Sequence, residues 1–349
     1  MLYNLSSLQI IELVTISATT IYHQIASYRE RKTPSLPGKL ITTADGIDRH
    51  LYTQGTGEIT VILDHSLGGV EGYLLITELA KLTRVCIYDR SGYGWSQMST
   101  QPRTSLAIVH ELDELLTQAQ IAPPYILIGD SFGSYNMRLF AHQFPDQAIG
   151  LILTDGLHER AMLSLPFSLQ LLKIFFTLSF GFVAVGASLG IVRLLGILGV
   201  FELIKPDLRK FSPVDLQHVK RSFYSASHWL TMGREMWSLD RSGRQLQSAN
   251  NLGDLPLISI KSQTFLKPLF RIKFLSIPAT DRSRDRIHLD LLKLSTNSQQ
   301  ISADLSSHLN IGSSDGSFSI SFLTLRSIFV IPYPLDRCHS STIFPLVII

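Results

Sequence analysis

Short apolar runs alternate with helix-like segments along this chain, and that alternation constrains its fold more than any other feature. Four runs, residues 59–65, 84–90, 125–130 and 149–155, are rich in Val, Ile and Leu and end in polar residues. Runs of this kind are typical of strands that are buried on both faces of a sheet. Between them, residues 104–120 carry apolar side chains at helical spacing. The pattern predicts an α/β fold, in which a mostly parallel, twisted sheet carries helices on both faces.

The charge and cysteine content exclude several classes of protein. The 349 residues include 31 basic and 28 acidic side chains, for a net charge of +3, without long basic runs. We therefore expect no nucleic-acid partner, because such proteins concentrate basic residues in a stripe. The two cysteines suffice for neither a disulfide framework nor a metal cluster, and Cys86, in an apolar run, is best explained as a buried thiol. Metal-binding and dinucleotide-binding motifs are also absent from the sequence, so we expect no metal and no cofactor.

Two apolar segments bear on membrane association. Residues 13–28 lack charges and are followed by a mostly basic stretch at 29–32. We interpret residues 1–35 as a hydrophobic helix that either packs on the domain or anchors it to a membrane, with the rest of the chain then on the cytoplasmic side. Residues 174–192 are also uncharged. Because a span there would separate two halves of one sheet, we favour buried helices of a lid over an integral membrane protein that uses both segments.

Residues 129–133 read Gly-Asp-Ser-Phe-Gly, a G-x-S-x-G sequence between a predicted strand and a predicted helix. In this context a sharp turn lifts a serine hydroxyl out of the sheet, and the glycines avoid collisions with neighbouring backbone. The spacing therefore predicts Ser131 as a nucleophile. The alternative is an ordinary turn in which Ser131 caps the helix that follows.

A nucleophilic serine needs donors for the oxyanion and a base for its proton. The expected donors are the backbone N–H groups of Phe132 and of Leu67, which lies among small residues in the loop after the TVILD strand. The base should follow the serine in the chain, just past the last strand, and His308 is at that place. His158 is a weaker rival. His65 precedes the serine and is interpreted as structural or substrate-facing.

The third member of such a site is an acid that orients the imidazole and stabilises its charged form. No carboxylate closely follows the strand predicted at residues 255–262, where that acid usually lies. Two candidates remain. We prefer Asp155, at the end of the strand that follows the nucleophile helix, and keep Asp281 as the alternative acid.

On these residues the chain resembles the α/β-hydrolase superfamily, and within it bacterial serine hydrolases near the esterases and proline iminopeptidases. The resemblance spans most of residues 37–308, in the segments PGKLI, TVILDHSLGG, VCIYDRSGYGWS, PPYILIGDSFG, GLILTDGLH and LLKLSTNSQQISADLSSH. It implies an α/β-hydrolase fold with Ser131 as nucleophile, His308 as base and an inserted helical lid over the site. A serine nucleophile argues against the dehalogenase and epoxide-hydrolase branches, which use a carboxylate at that position.

The chain is accordingly divided into an N-terminal hydrophobic helix (1–35), an α/β-hydrolase core (36–156 and 251–310), a helical lid (157–250) and an atypical C-terminal tail (311–349). Two features depart from the family pattern. Ser66 stands where these proteins usually have glycine, and the tail is serine-rich and lacks the helical period of the family's closing helix.

The favoured function is that of a serine hydrolase, carboxylesterase-like, which cleaves an ester, thioester or amide bond of an apolar small molecule through an acyl-enzyme on Ser131. The alternative is a catalytically weakened or inactive relative that binds an apolar ligand or a membrane. The missing acid after residues 255–262, Ser66 and the atypical tail support that alternative. For the location, we expect either membrane association with a cytoplasmic catalytic domain or a cytoplasmic protein.

Overall fold

A computed structural model describes residues 6–32, 36–70, 72–264 and 277–307 of the chain. Its strands are β1 (Lys39–Thr42), β2 (Asp48–Gln54), β3 (Thr60–Asp64), β4 (Arg84–Tyr88), β5 (Tyr125–Asp130), β6 (Ala148–Thr154), β7 (Leu257–Thr264) and β8 (Ser298–Ser307). Its helices are α1 (Ser7–Lys32), α2 (Tyr73–Leu79), α3 (Ser105–Gln118), α4 (Phe132–Gln143), α5 (Glu159–Leu163), α6 (Phe167–Ser188), α7 (Ile191–Ile197), α8 (Val200–Ile204), α9 (Pro213–Tyr224), α10 (Ala226–Gln245) and α11 (Ile277–Leu292). Two short 3-10 helices, Pro206–Lys210 and Leu246–Ser248, follow α8 and α10.

The eight strands of the described residues form one sheet in the order β1-β2-β4-β3-β5-β6-β7-β8. The pairs β1–β2 and β2–β4 are antiparallel, and each of the other pairs is parallel. The carboxyl ends of β3 to β8 therefore meet at one edge, where open α/β sheets bind ligands. The predicted fold class is confirmed.

Side chains of the central strands alternate between two apolar cores. On one face Ile62 and Cys86 pack with side chains of α3, α4 and α11. On the other face Val61 packs with α2 and with apolar residues of segment 208–219. Each fully buried aliphatic side chain stabilises the fold by about 1.5–3 kcal/mol. Cys86 is a buried thiol, as expected, and its burial raises the pKa to about 12. Cys338 lies outside the described residues.

Helices α5 to α10 all lie between β6 and β7, and we call residues 159–248 the helical insertion. Within it α6 packs along α10. Of the described helices, α6 alone is long and apolar enough to cross a membrane, with a mean hydropathy of 1.8, and 11% of its most apolar window is buried. The predicted segment limits stay predictions.

Helix α1 packs on the helical insertion through α7. The hydroxyls of Thr19 and Thr20 donate to the carbonyl oxygen of Leu189 at 3.0 and 3.1 Å. Gly190, with φ +79°, follows, and a Cβ there would lie 2.3 Å from the carbonyl oxygen of Thr19. The close contact at Gly190 therefore allows α1 to pack against the turn between α6 and α7. Helix α1 therefore contacts the helical insertion, and both interpretations of residues 1–35 stay predictions.

Candidate active site

Ser131 occupies the sharp turn between β5 and α4. Its backbone has φ +48° and ψ −110°, a conformation that non-glycine residues adopt at a cost of about 1–3 kcal/mol and that clusters at functional sites. Its N–H donates to the carbonyl oxygen of Thr154 on β6 at 2.9 Å. The Ser131 side chain makes no capping hydrogen bond to α4. Ser131 therefore precedes α4 without a side-chain capping bond, and its role as nucleophile stays a prediction.

The two glycines of the turn are required by close backbone contacts. A Cβ on Gly129 would lie 2.6 Å from the carbonyl oxygen of Gly133. A Cβ on Gly133 would lie 2.5 Å from the carbonyl oxygen of Asp64, at the end of β3. Backbone atoms cannot move aside as a flexible side chain does, so the G-x-S-x-G spacing has a steric cause here.

The two residues predicted to supply oxyanion donors share one apolar cluster. Phe132 is buried, and Leu67 packs against the cluster of Ile108, Phe132, Tyr135 and Leu246. As the first residue of α4, Phe132 has a backbone N–H without an acceptor inside the helix. The structure thus brings Leu67 and Phe132 together beside Ser131, although their roles stay predictions.

Arg90, which follows β4, holds the carbonyl oxygens of the loop that contains Leu67. Its Nη1 donates to Asp64 Oδ1 at 2.6 Å and to the carbonyl oxygen of His65 at 2.8 Å. Its Nη2 donates to the carbonyl oxygen of Ser66 at 3.0 Å. In a trans peptide the C=O and the next N–H point in opposite directions. By holding the Ser66 carbonyl, Arg90 therefore also sets the direction of the Leu67 N–H.

Glu235 of α10 binds the same guanidinium from the helical insertion. Its Oε1 accepts from Arg90 Nε at 2.9 Å, and its Oε2 accepts from the Tyr93 hydroxyl at 2.7 Å. Burial by itself would lower the pKa of Arg90, but the carboxylates of Glu235 and then Asp64 raise it well above its ordinary value. Asn136 donates to Asp64 Oδ2 at 2.7 Å. This buried network joins the insertion to the loop beside Ser131.

Asp155 follows β6 with φ +43°, close to the turn that carries Ser131. Arg284 of α11 donates from Nη2 to Asp155 Oδ1 at 2.8 Å, and both side chains are buried. His288, also buried, has its Nε2 3.7 Å from the same carboxylate oxygen, while its Nδ1 lies 2.7 Å from Ser259 Oγ. The carboxylate of Asp155, the preferred acid, therefore lies between the basic side chains of Arg284 and His288.

The other predicted members of the site are described only in part. His308 lies outside the described residues. Asp281 belongs to α11, which begins at Ile277, so it lies inside this helix, and its side chain is outside the described residues. Neither assignment is tested.

Two further histidines were weighed as rivals for the base. His158 is buried and caps α5, accepting from the N–H of Arg160. Burial, the largest effect, lowers the pKa of His158. His65 is buried in the loop held by Arg90. The roles of both residues stay predictions.

Sequence reasoning missed Arg90, Glu235 and His288. Arg90 could have been found, because it directly follows a buried strand in the YDRSGYGWS segment, at the sheet edge where function gathers. Glu235 and His288 lie within helices, and nothing near them in the chain signals their partners. Among the described residues, no group of three or more His, Cys, Asp or Glu side chains could hold a metal ion.

Solved structures similar to this chain share its fold. A thermophilic esterase from Thermogutta terrifontis is 18% identical with a TM-score of 0.55, over 83% of this chain and 97% of that chain. An enol-lactonase from Burkholderia xenovorans LB400 is 17% identical with a TM-score of 0.53, over 82% and 100%. An epoxide hydrolase from Bacillus megaterium is 15% identical with a TM-score of 0.56, over 83% and 99%. Identities this low show the fold alone.

Sequence comparison agrees with the structure. The family described as alpha/beta hydrolase fold matches residues 59–198, which include Ser131. The chain is 25% identical to the uncharacterized protein YbdG of Bacillus subtilis (strain 168), over 43% of this chain and 47% of that protein. It is 32% identical to an uncharacterized vacuolar membrane protein of Saccharomyces cerevisiae (strain YJM789), over 30% of this chain and 17% of that protein. The chain thus spans less than half the length of the curated relatives it matches.

The sheet order, the strained serine turn and these comparisons together define the class. That class is the α/β-hydrolase fold, and the match of residues 59–198 to the family of that description agrees with it.

Proposed function

We propose that this protein is a serine hydrolase that cleaves an ester, thioester or amide bond through an acyl-enzyme on Ser131. The observation that carries the proposal is the strained backbone of Ser131, at φ +48°, in a turn whose glycines are sterically required. A serine held this way at the carboxyl edge of a parallel sheet is displayed to a bound substrate rather than packed into the sheet. The carboxylesterase type remains part of the proposal.

The proposed reaction has two halves. Ser131 Oγ attacks the substrate carbonyl carbon while His308 takes the hydroxyl proton, and the resulting oxyanion accepts hydrogen bonds from the N–H groups of Leu67 and Phe132. The C–O, C–S or C–N bond then breaks, and the leaving group takes the proton from His308. A water that gives a proton to His308 attacks the acyl ester, which releases the acid and restores Ser131.

The proposed substrate is a small molecule with an apolar part. Support comes from the apolar cluster beside Ser131, where Met162 and Leu239 of the helical insertion pack with Leu67 and Phe132. Such a wall favours hydrocarbon over charged groups, because burying apolar surface stabilises a complex by about 25 cal/mol per Å². We propose that the insertion acts as a lid over this wall.

The test is labelling of the purified full chain with a fluorophosphonate probe. We expect wild type to be labelled, Ser131→Ala to be unlabelled and His308→Ala to react much more slowly. Ser248→Ala, at an exposed serine after α10, is the matched control and should label as wild type does. Labelling of Ser131→Ala at the wild-type rate would refute the assignment of the nucleophile.

A second pair of variants tests which acid completes the site. If Asp155 orients His308, Asp155→Asn should lower turnover by about 10⁴-fold, as loss of the orienting acid does elsewhere, while Asp281→Asn should have little effect. The reverse result would assign Asp281. Circular dichroism of each variant would check that the loss does not come from unfolding.

The second candidate function is a non-catalytic relative that binds an apolar ligand. It is favoured by the ion pair between Asp155 and Arg284, because a guanidinium at 2.8 Å competes for the carboxylate that would orient a histidine. A well-folded wild type that binds an apolar fluorophore but is not labelled at Ser131 would establish this alternative.

We also propose that the protein associates with a membrane through α1, with the α/β core on the cytoplasmic side. Apolar side chains of α1, among them Ile11, Val14 and Ile21, are exposed although α1 packs on α7. The last turn of α1 is basic, through Arg29, Arg31 and Lys32, which suits anionic lipid headgroups.

Fractionation of cells that express the chain tests this location. The triple variant Ile11→Ser, Val14→Ser and Ile21→Ser should lower the fraction of the protein in the membrane pellet. The matched control replaces three exposed leucines of the core, Leu40, Leu82 and Leu289, and should leave the distribution unchanged. If wild type is already in the supernatant, the association through α1 is refuted.

A further inference from the structure

A cleft of about 710 Å³ opens between α6, α10 and the loop before α3. Four arginines line it, against one aspartate, Asp240, whose carboxylate pairs with Lys173. Two tryptophans are also part of the lining. These six side chains, which we call the Arg–Trp cleft, are Arg103, Trp229, Arg234, Trp237, Arg241 and Arg244.

Nearby carboxylates neutralise the positive charge of the Arg–Trp cleft only in part, because among the described residues Arg103 alone of its four arginines is paired with one, Glu111. Arg103 is fully buried; its Nη1 donates to Glu111, while its Nε and Nη2 have no hydrogen-bond partner within the described ranges 6–32, 36–70, 72–264 and 277–307. Arg234 donates to main-chain carbonyl oxygens of the loop at residues 99–101. Arg241 and Arg244 are exposed. A group of cations in one cleft is arranged to receive an anion.

The exposed side of α10 alternates cations with apolar groups. Leu230, Arg234, Trp237, Arg241 and Arg244 are spaced four, three, four and three residues apart, so they form one stripe along the helix. Trp237 is 68% exposed, an unusual position for so large an apolar side chain. Arginine beside exposed tryptophan is the pattern of a surface that meets lipid headgroups.

Helix α6 places an apolar row directly beside this stripe. Thr177 and Gly181 line the cleft. Their neighbours at three or four residues, Ile174, Leu178 and Val185, are all exposed. Residues at this spacing lie on the same side of a helix. The cleft therefore opens next to a hydrocarbon surface, which a small soluble anion does not require.

We propose that the Arg–Trp cleft binds the phosphate of an anionic phospholipid, with the exposed row of α6 against the acyl chains and Trp237 at the headgroup level. The lipid phosphate supplies negative charge for Arg234, Arg241 and Arg244, and the bilayer covers the apolar row. This inference does not depend on the chemistry at Ser131.

Sedimentation of the full chain with vesicles tests the proposal. Wild type should bind vesicles of phosphatidylcholine mixed with phosphatidylglycerol and should not bind phosphatidylcholine alone. The double variant Arg241→Gln with Arg244→Gln should bind the mixed vesicles about thirtyfold more weakly, because each basic side chain near an anionic surface contributes to affinity. Tryptophan emission should shift to shorter wavelength on binding, and Trp237→Ser should lose that shift.

The matched control removes two exposed cations from α11 and the residue after it, Arg286→Gln with Lys293→Gln, and should bind as wild type does. Equal binding by the cleft variant and this control would overturn the proposal, as would equal binding to both kinds of vesicle. Inorganic phosphate as competitor distinguishes the phosphate of a lipid headgroup from free phosphate as the ligand of the cleft. Competition at low concentration would overturn the lipid assignment in favour of free phosphate.

Ser131 labelling keeps this test separate from the proposed hydrolase. Arg241→Gln with Arg244→Gln should label as wild type does, and Ser131→Ala should still bind mixed vesicles. Loss of vesicle binding in Ser131→Ala would contradict the proposal that the Arg–Trp cleft binds lipid independently of Ser131.

Discussion

The helical insertion has two unlike sides. Towards the sheet it buries charge: Glu235 of α10 is fully buried against Arg90, and Glu159 of α5 pairs with the buried Arg138 at 2.6 Å. Towards the outside it exposes apolar surface, with Phe167 and Phe182 of α6 at 74% and 79% exposure. A soluble domain usually does the opposite on each side.

The difference separates two tasks. Buried ion pairs are sensitive to geometry, because an ion that loses its partner in a low-dielectric site is strongly destabilising. They hold the insertion in one position over the loop that contains Leu67. Exposed apolar side chains do little for the fold, so their presence on α6 calls for a neighbour outside the chain.

The largest expected effect follows from breaking the inner network. Glu235→Gln should lower the free energy of unfolding by about 3–5 kcal/mol, because Arg90 keeps its charge and loses a buried partner. Chemical denaturation measures this value. The matched control is Asp240→Asn on the same helix, whose carboxyl is 39% exposed, and it should cost less than about 1 kcal/mol. Equal losses would show that the inner network does not hold the insertion.

The pH dependence of the free energy of unfolding tests the buried side of the helical insertion a second time, at His228. This histidine of α10 is buried, with Nδ1 2.8 Å from Ser222 Oγ. Burial and then the charge of Arg90 lower its pKa from 6.5 to about 3. Between those values the unfolded chain binds a proton that the folded protein does not. The contribution of His228 to the free energy of unfolding is therefore complete above pH 6.5, and it decreases as the pH falls towards 3.

At pH 5 the loss from His228 should be about 2 kcal/mol relative to pH 8. His228→Asn, which keeps an acceptor near Ser222, should unfold with a correspondingly smaller dependence on pH between these values. Denaturation of both proteins at several pH values measures the difference. Parallel curves would mean that His228 is protonated in the folded protein.

The junction between α1 and the insertion should respond less strongly. Arg193 of α7 is buried and donates to Glu30 and to Ser27 of α1, at 2.9 and 3.1 Å from its Nη2. Arg193→Gln should cost about 1.5 kcal/mol, the scale of hydrogen bonds to charged groups, and should speed amide hydrogen exchange in α1. Arg31→Gln, at an exposed position of α1, is the control. Unchanged exchange in α1 would refute this junction.

The smallest effect on stability is expected on the outer side. Phe182→Ser should change the free energy of unfolding by no more than about 0.5 kcal/mol, as substitutions at exposed positions do. Ala184→Leu, two residues along α6 at a buried position, should cost about 1–3 kcal/mol through overpacking. Thermal denaturation of the pair compares the two sides of one helix directly. A larger loss for Phe182→Ser would place that side chain in an interface within the fold.

Local sequence patterns were sufficient to predict the central strands of the sheet and the turn that carries Ser131. Buried strands are apolar on both faces, so β3, β4, β5 and β6 could be identified without knowledge of their neighbours. The glycines around Ser131 are required by contacts within a few residues or with the adjacent strand. The position of the alternative acid was less predictable, because Asp281 lies inside α11, which begins at Ile277.

Long-range charge pairing was decided by tertiary structure alone. Arg90 pairs with Glu235, which is 145 residues away in the sequence, and Arg284 pairs with Asp155, which is 129 residues away. A buried ion pair has no local period, because each partner needs only the other charge in a low-dielectric site. The sequence by itself determined the parallel sheet, the sharp turn at Ser131 and the apolar character of α6. Only the folded chain decided which charges are buried together and which side of α6 remains exposed, since both depend on packing between segments far apart in sequence.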